Sequence, residues 1–223
     1  MRLTALPRAF IAALGSALVT LTAFAQPVFP EIGTRAQAVA ALEHSDARQR
    51  AAGILYIART GHPTDGPLLV KRLADDNPIV RELAEAGAWQ VWSRSGDAET
   101  DRLLAEGARQ MSAGQHQAAI AIFDRVIRRR PAFAEGWNKR ATAYYLAGEF
   151  RKSLADCDEV IKRNPQHFGA LSGYGQIYFQ LEDLDKALEY FRRALAVNPN
   201  MSGVEINIRA IEELLSEKRR KTI

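Results

Sequence analysis

The side chains best suited to hold a metal or act as a nucleophile are few in this 223-residue chain. His44, His62, His116 and His167 are scattered, and three of them fall at predicted helix starts or turns. A metal site needs several such ligands to converge, and no HExxH or CxxC spacing brings them together. There is no GxSxG elbow and no phosphate-binding glycine loop. Cys157 is the single cysteine, so no intrachain disulfide framework is possible. Asp156, Asp158 and Glu159 surround it, and their negative charge disfavours a reactive thiolate. These residues define no catalytic centre, no metal site and no cofactor. The chain is expected to work by binding rather than as an enzyme.

Charge narrows the partner class. The formal charge is +4, and the two basic runs are Arg128-Arg129-Arg130 and Lys218-Arg219-Arg220-Lys221. Both lie at predicted helix C-termini, where cations complement the macrodipole. Arg2 and Arg8 precede an apolar run from Ala9 to about Ala23, and Ala23-Phe24-Ala25 reads as a small-x-small cleavage site. This is the pattern of a secretory signal peptide over 1–25, with Gln26 as the first mature residue. The run is too short for a spanning helix, and a residue other than Cys after the site argues against a lipid anchor. Cleavage would remove two of the positive charges, leaving a nearly balanced surface that does not suggest nucleic-acid binding. An exported, periplasmic protein without a stable membrane anchor is expected.

Residues 26–36 hold two prolines and a glycine and read as a leader. From 37 to 95 apolar residues recur at helical spacing throughout, as in Ile54, Leu55, Ile57 and then Val80, Leu83, Ala84, Gly87, Ala88, Val91. Ser45-Asp46-Ala47-Arg48 is echoed 31 residues later by Asp76-Asn77-Pro78-Ile79. Asp-Asn-Pro-x-Val-Arg followed by alanines resembles the second helix of a HEAT-type repeat. Asp76 or Asn77 suits a helix N-cap and Pro78 the first helical turn. Ser93-Arg94-Ser95-Gly96-Asp97 breaks the pattern and ends in an N-cap candidate.

Pro131, Pro165 and Pro199 stand 34 residues apart. With each proline as position 32, the units run 100–133, 134–167 and 168–201 within a segment from 98 to 199 and beyond. The third unit has Leu171, Gly175, Tyr178, Ala187, Phe191, Ala194 and Pro199 at its key positions. The second has Trp137, Ala141, Tyr144, Ser153, Cys157, Val160 and Pro165, and the first Leu103, Gly107, Gln110, Ala119, Phe123, Val126 and Pro131. Small residues at positions 8 and 20 suit a close helix crossing, and Gly114 and Gly148 suit tight turns. Length and pattern together resemble the tetratricopeptide repeat family, with Gln110 and Cys157 as departures. The implied fold is all-α: a right-handed α-solenoid of HEAT-like helix pairs, three tetratricopeptide units and a capping helix over 202–220. The cap would use an apolar surface of Val204, Ile206, Ile208, Ile211, Leu214 and Leu215.

The resemblance also implies a concave groove lined by positions 2, 5, 9 and 12 of each first helix. These are Asp101, Leu104, Ala108 and Met111, then Glu135, Asn138, Thr142 and Tyr145, then Gly169, Ser172, Gln176 and Phe179. Asn138 and Gln176 can each donate to and accept from a peptide backbone, while Tyr145 and Phe179 offer apolar anchors or else pack between repeats. Family members that clamp a chaperone's terminal carboxylate carry Lys, Asn or Arg where this chain has Leu104, Ala108, Lys139, Gly169 and Gly173. None matches, so such a clamp is not expected. The expected function is a scaffold binding a peptide or helix of an envelope protein in the groove. Two alternatives remain: a solenoid supporting an envelope enzyme, with Asp101 and Glu135 as groove carboxylates at the rim, and a self-associating structural adaptor.

Overall fold

The computed structural model describes residues 29–221, and the proposed signal peptide lies outside them. Every regular element among the described residues is helical. The first helix, α1 (Arg35–Ala41), begins inside the expected leader because Thr34 caps it. The Thr34 hydroxyl accepts from the Gln37 N–H at 3.2 Å, and the Gln37 side chain accepts from the Thr34 N–H at 3.0 Å. Asp46 caps α2 (Ala47–Thr60), and Asn77 caps α4 (Pro78–Trp92) by accepting from the N–H groups of Ile79 and Val80.

The two caps stand 31 residues apart, and Arg50 and Arg81 follow each of them by four positions. Both arginines converge on one loop. Buried Arg50 clasps the Asp75 carboxylate with bonds of 2.8 and 2.7 Å, while Arg81 donates to the Asp75 carbonyl at 2.9 Å.

The helical pattern is not continuous across this region. Between α2 and α4 lie a 3-10 turn (Pro63–Asp65), the short helix α3 (Gly66–Val70) and a second 3-10 turn (Lys71–Ala74). Pro63 and Pro67 cannot supply amide hydrogens to an unbroken ladder, and the Asp65 carboxylate draws the chain in by accepting from the His62 N–H at 2.9 Å. Leu69 and Leu73 nevertheless reach the core. Helix α2 packs on α4 through small residues: a methyl group on Gly87 would sit 3.3 Å from Ala58 Cβ.

Beyond the break at 93–97, Asp97 caps α5 (Ala98–Ser112) through the Thr100 N–H at 2.9 Å. Antiparallel pairs follow: α5 with α6 (His116–Arg129), α7 (Ala134–Leu146) with α8 (Phe150–Arg163), and α9 (Phe168–Gln180) with α10 (Leu184–Val197). Each pair crosses at a small residue. A Cβ on Gly107 would lie 2.4 Å from the Phe123 ring, and one on Gly175 would lie 2.5 Å from the Phe191 ring. The middle pair narrows the difference in size. Ala141 replaces the glycine and Cys157 replaces the phenylalanine, and both are buried in one cluster with Tyr174 and Ile177. The departure at Cys157 thus removes a ring from the crossing, which is filled in a cluster with Tyr174 and Ile177 of the next helix. Ser153 is buried there as well, its hydroxyl donating to the Ala141 carbonyl at 2.7 Å.

Turns between paired helices use left-handed backbone at Gly114 (φ 74°) and Gly148 (φ 77°). The third unit places Glu182 there with φ 60°. Helix α11 (Ser202–Lys221) covers α10 with Val204, Ile208, Ile211 and Leu215. The expected capping surface is narrower than the sequence suggested. Ile206 is 56% exposed and Leu214 is exposed too, because they fall off the i, i+4, i+7, i+11 stripe that faces α10.

The two halves share a core. Phe168, at the start of α9, is buried in one cluster with Ile54, Leu69 and Trp92. Helix α4 runs across the starts of the later helices. Near its beginning Arg81 donates to Asn200 Oδ1 at 3.0 Å, and Asn200 Nδ2 donates to the Leu73 carbonyl at 2.8 Å. Near its end Trp89 meets Phe168 edge-on at 5.1 Å. Just past it, the Ser95 N–H and hydroxyl donate to Asp101 at 2.8 and 2.6 Å.

Two substitutions test this packing in urea unfolding. Ala187→Leu at the fully buried crossing of α9 and α10 should destabilise by about 1–3 kcal/mol through overpacking, and an unchanged midpoint contradicts the register. Glu182→Gly relieves a left-handed non-glycine residue and should stabilise by about 0.5–1 kcal/mol; a loss of stability contradicts it.

Candidate functional site

The groove positions do not share one environment. In the first unit Leu104 is buried among Phe123 and Ala119, and Met111 packs against the same cluster. Ala108 is half-buried, and Asp101 is occupied by Ser95. These residues fill the first unit or tie its start to α4, and they offer little surface for a ligand.

The second and third units converge. Asn138, Thr142 and Tyr145 on α7 and Gln176 on α9 line one small cleft of about 50 Å³ floored by Cys157 and Gly173. Asn138, Thr142 and Tyr145 stand four and three positions apart, which places them on one face of α7. Thr142 is exposed, with its hydroxyl donating to the Asn138 carbonyl at 3.0 Å. Tyr145 leans on Phe150 at 5.7 Å. Gln176 is exposed, and Phe179, one turn further along α9, is 37% exposed. Ser172 is buried. Asn138 is also buried, and its amide donates to Glu135 Oε2 at 3.0 Å. It serves the interior rather than reading a ligand. Cys157 is a sealed floor: burial, aided by Asp156 and Asp158, pushes its thiol up to about 12.

The other end of the groove is closed from within the chain. Trp89 lies over Gly169, where a Cβ would come within 2.3 Å of the indole ring. Glu135 is not a rim carboxylate but is only 1% exposed. Its Oε2 accepts from His167 Nε2 at 3.1 Å, and its Oε1 lies 3.1 Å from the Lys139 ammonium. Burial opposes its ionisation. The His167 hydrogen bond and the Lys139 charge outweigh that and hold the carboxyl below its ordinary value.

His167 is fully buried and has three tasks. Its Nδ1 accepts from the Ala170 N–H at 3.1 Å and so caps α9, which leaves Nε2 as the N–H that meets Glu135. Its ring stacks on Trp92 at 4.7 Å and meets Trp89 edge-on at 5.3 Å.

Sequence spacing did not bring this cluster together. The available signal was positional: Glu135 and Gly169 occupy the same repeat position, and His167 stands two residues before Gly169. Among the described residues, no group of three or more His, Cys, Asp or Glu side chains could hold a metal ion. No described helix is long and apolar enough to cross a membrane.

Comparison with known proteins bears on α5 to α11. The tetratricopeptide repeat family model matches residues 104–167 and 139–202. A TPR repeat-containing protein of Rhizobium etli is 30% identical over 57% of this chain and 63% of its own length. The small glutamine-rich tetratricopeptide repeat-containing protein of Dictyostelium discoideum is 29% identical over 55% of this chain and 37% of its own. The chain thus spans less than two thirds of either relative.

Among solved structures, the Sgt2 TPR domain from Aspergillus fumigatus superposes with a TM-score of 0.53, at 22% identity over 56% of this chain and 83% of that one. The first TPR of Spaghetti (RPAP3), bound to the HSP90 peptide SRMEEVD, gives 0.52 at 24% identity, over 54% of this chain and 96% of that one. At such identities the likeness is one of fold. Family match, relatives and helix geometry agree, and residues 104–202 of this chain are tetratricopeptide repeats.

Proposed function

We propose that this chain is a non-enzymatic adaptor that holds an internal, extended segment of a partner protein across α7 and α9. The observation that carries this reading is the cleft between them. Exposed Thr142 and Gln176 supply polar contacts to a backbone, while Tyr145 and Phe179 supply apolar surface beside them. The likeness to repeat domains such as that of Spaghetti, which is bound to a peptide of HSP90, supports a peptide as the occupant.

The occupant differs from a terminal carboxylate. Leu104 is buried, Lys139 is committed to Glu135, and Gly169 lies beneath Trp89. Three of the five positions that would clamp a chaperone's C-terminus are therefore filled, neutralised or covered, and Ala108 and Gly173 bring no charge. The end of the groove at Tyr145 and Phe179, away from Trp89, stays accessible, and this favours a segment that continues past the site.

Export to the cell envelope is part of the proposal, and it rests on the basic, apolar and small-residue pattern of residues 1–25. The partner is accordingly an envelope protein. N-terminal sequencing of the protein recovered from cells should begin at Gln26. Recovery of the uncleaved chain from the cytoplasm contradicts the assignment.

The groove is tested by in-cell crosslinking. Gln176→Ala with Phe179→Ala should lower capture of the partner about tenfold, equivalent to about 1.4 kcal/mol, while thermal unfolding shifts little because both side chains are exposed. Undiminished capture places the binding surface elsewhere.

A further inference from the structure

A second cleft, of about 750 Å³, lies where the N-terminal half meets the edge of the repeats. Its size is that of a ligand-binding site, and it shares no lining residue with the cleft between α7 and α9. One wall is the turn at His62, Pro63 and Thr64, and the opposite wall is built from the loops that precede α7 and α9. Trp92, Phe133 and Pro165 give the cleft an apolar base.

Its charge is one-sided. Arg94, Arg130 and Arg163 line it, and no Asp or Glu does. Two of the three are anchored. Arg94 donates to the carbonyls of Ala58 and Gly61, the latter at 3.0 Å. Arg163 donates to the Pro131 carbonyl at 2.6 Å, pairs with Glu159 and stacks over Trp137 at 4.8 Å.

Arg130 is different. It is 47% exposed, and its ion-pair partner is Asp97 at 3.8 Å. Asp97 is already engaged more closely by Arg129, at 2.7 Å, and by Thr100. A guanidinium left this loosely held, beside two fixed ones, is poised to take a carboxylate through its planar fork of donors.

The opposite wall also repeats. Arg130 and Ala132 stand 34 residues before Asn164 and Gln166, so equivalent loop positions of successive units line the cleft side by side. A wall with a repeating register suits a chain that extends along it. We propose that this cleft binds an acidic peptide segment of a partner protein, with its carboxylates on Arg130 and Arg163 and an apolar side chain against Trp92 and Pro165. The proposal does not depend on the groove between α7 and α9.

The test screens the purified full chain against an array of random 12-residue peptides. Enriched peptides should carry two or more Asp or Glu beside an apolar residue. Their binding should fall at least tenfold in Arg130→Glu, and in Thr64→Glu on the facing wall. It should recover in Arg130→Glu when the peptide acids are exchanged for lysines, and it should not change in the Gln176→Ala, Phe179→Ala variant. No enrichment of acidic peptides, no enrichment at all, or binding indifferent to Arg130→Glu overturns the proposal. Loss in the groove variant alone also overturns it and assigns the peptides to the other site.

Discussion

The seam of Trp89 and Trp92 against His167 and Phe168 is the contact on which the rest of the molecule depends. It lets helix α4 lie across the starts of the repeat helices, so that the N-terminal helices and the repeats share one apolar cluster. A buried carboxylate is tolerated there because donors and a positive charge gather on it. Glu135 receives hydrogen bonds from His167 and Asn138 and the charge of Lys139. Removing one of them leaves the buried charge less well compensated, a costlier change than the loss of an exposed ion pair.

The seam also decides where a partner can lie. A solenoid exposes a concave face along its whole length. Here Trp89 covers the beginning of α9 and Ser95 engages the beginning of α5, so the surface that remains open is the far end of α7 and α9. The same docking creates the arginine-lined cleft, since neither wall encloses a volume alone. One internal contact thus shapes both surfaces at which this chain can meet another.

Local features were legible in the sequence, and contacts across the halves were not. Pro131, Pro165 and Pro199 reveal the units, and Gly107 and Gly175 mark the crossings, because each obeys a constraint set within its own helix pair. Asn77 and Asp97 read as caps for the same reason. Glu135 was misread because a repeat register treats its second position as open groove. Its interior partner is His167, 32 residues on, and that ring is itself covered by Trp89 and Trp92 of the other half. Asn138 fell with it. Ile206 and Leu214 were overcounted because an apolar helix shows its composition in sequence more plainly than which stripe meets its neighbour.

The seam implies that the two halves unfold together. Hydrogen exchange along a urea series reads this directly, by following amides in α2 (Ala47–Thr60) and in α10 (Leu184–Val197). Shared cooperativity predicts that both helices lose protection at the same urea concentration and that Trp89→Ala separates the two transitions. Distinct midpoints in the unaltered protein would contradict the account, because the repeats would then stand without the helix that closes their groove.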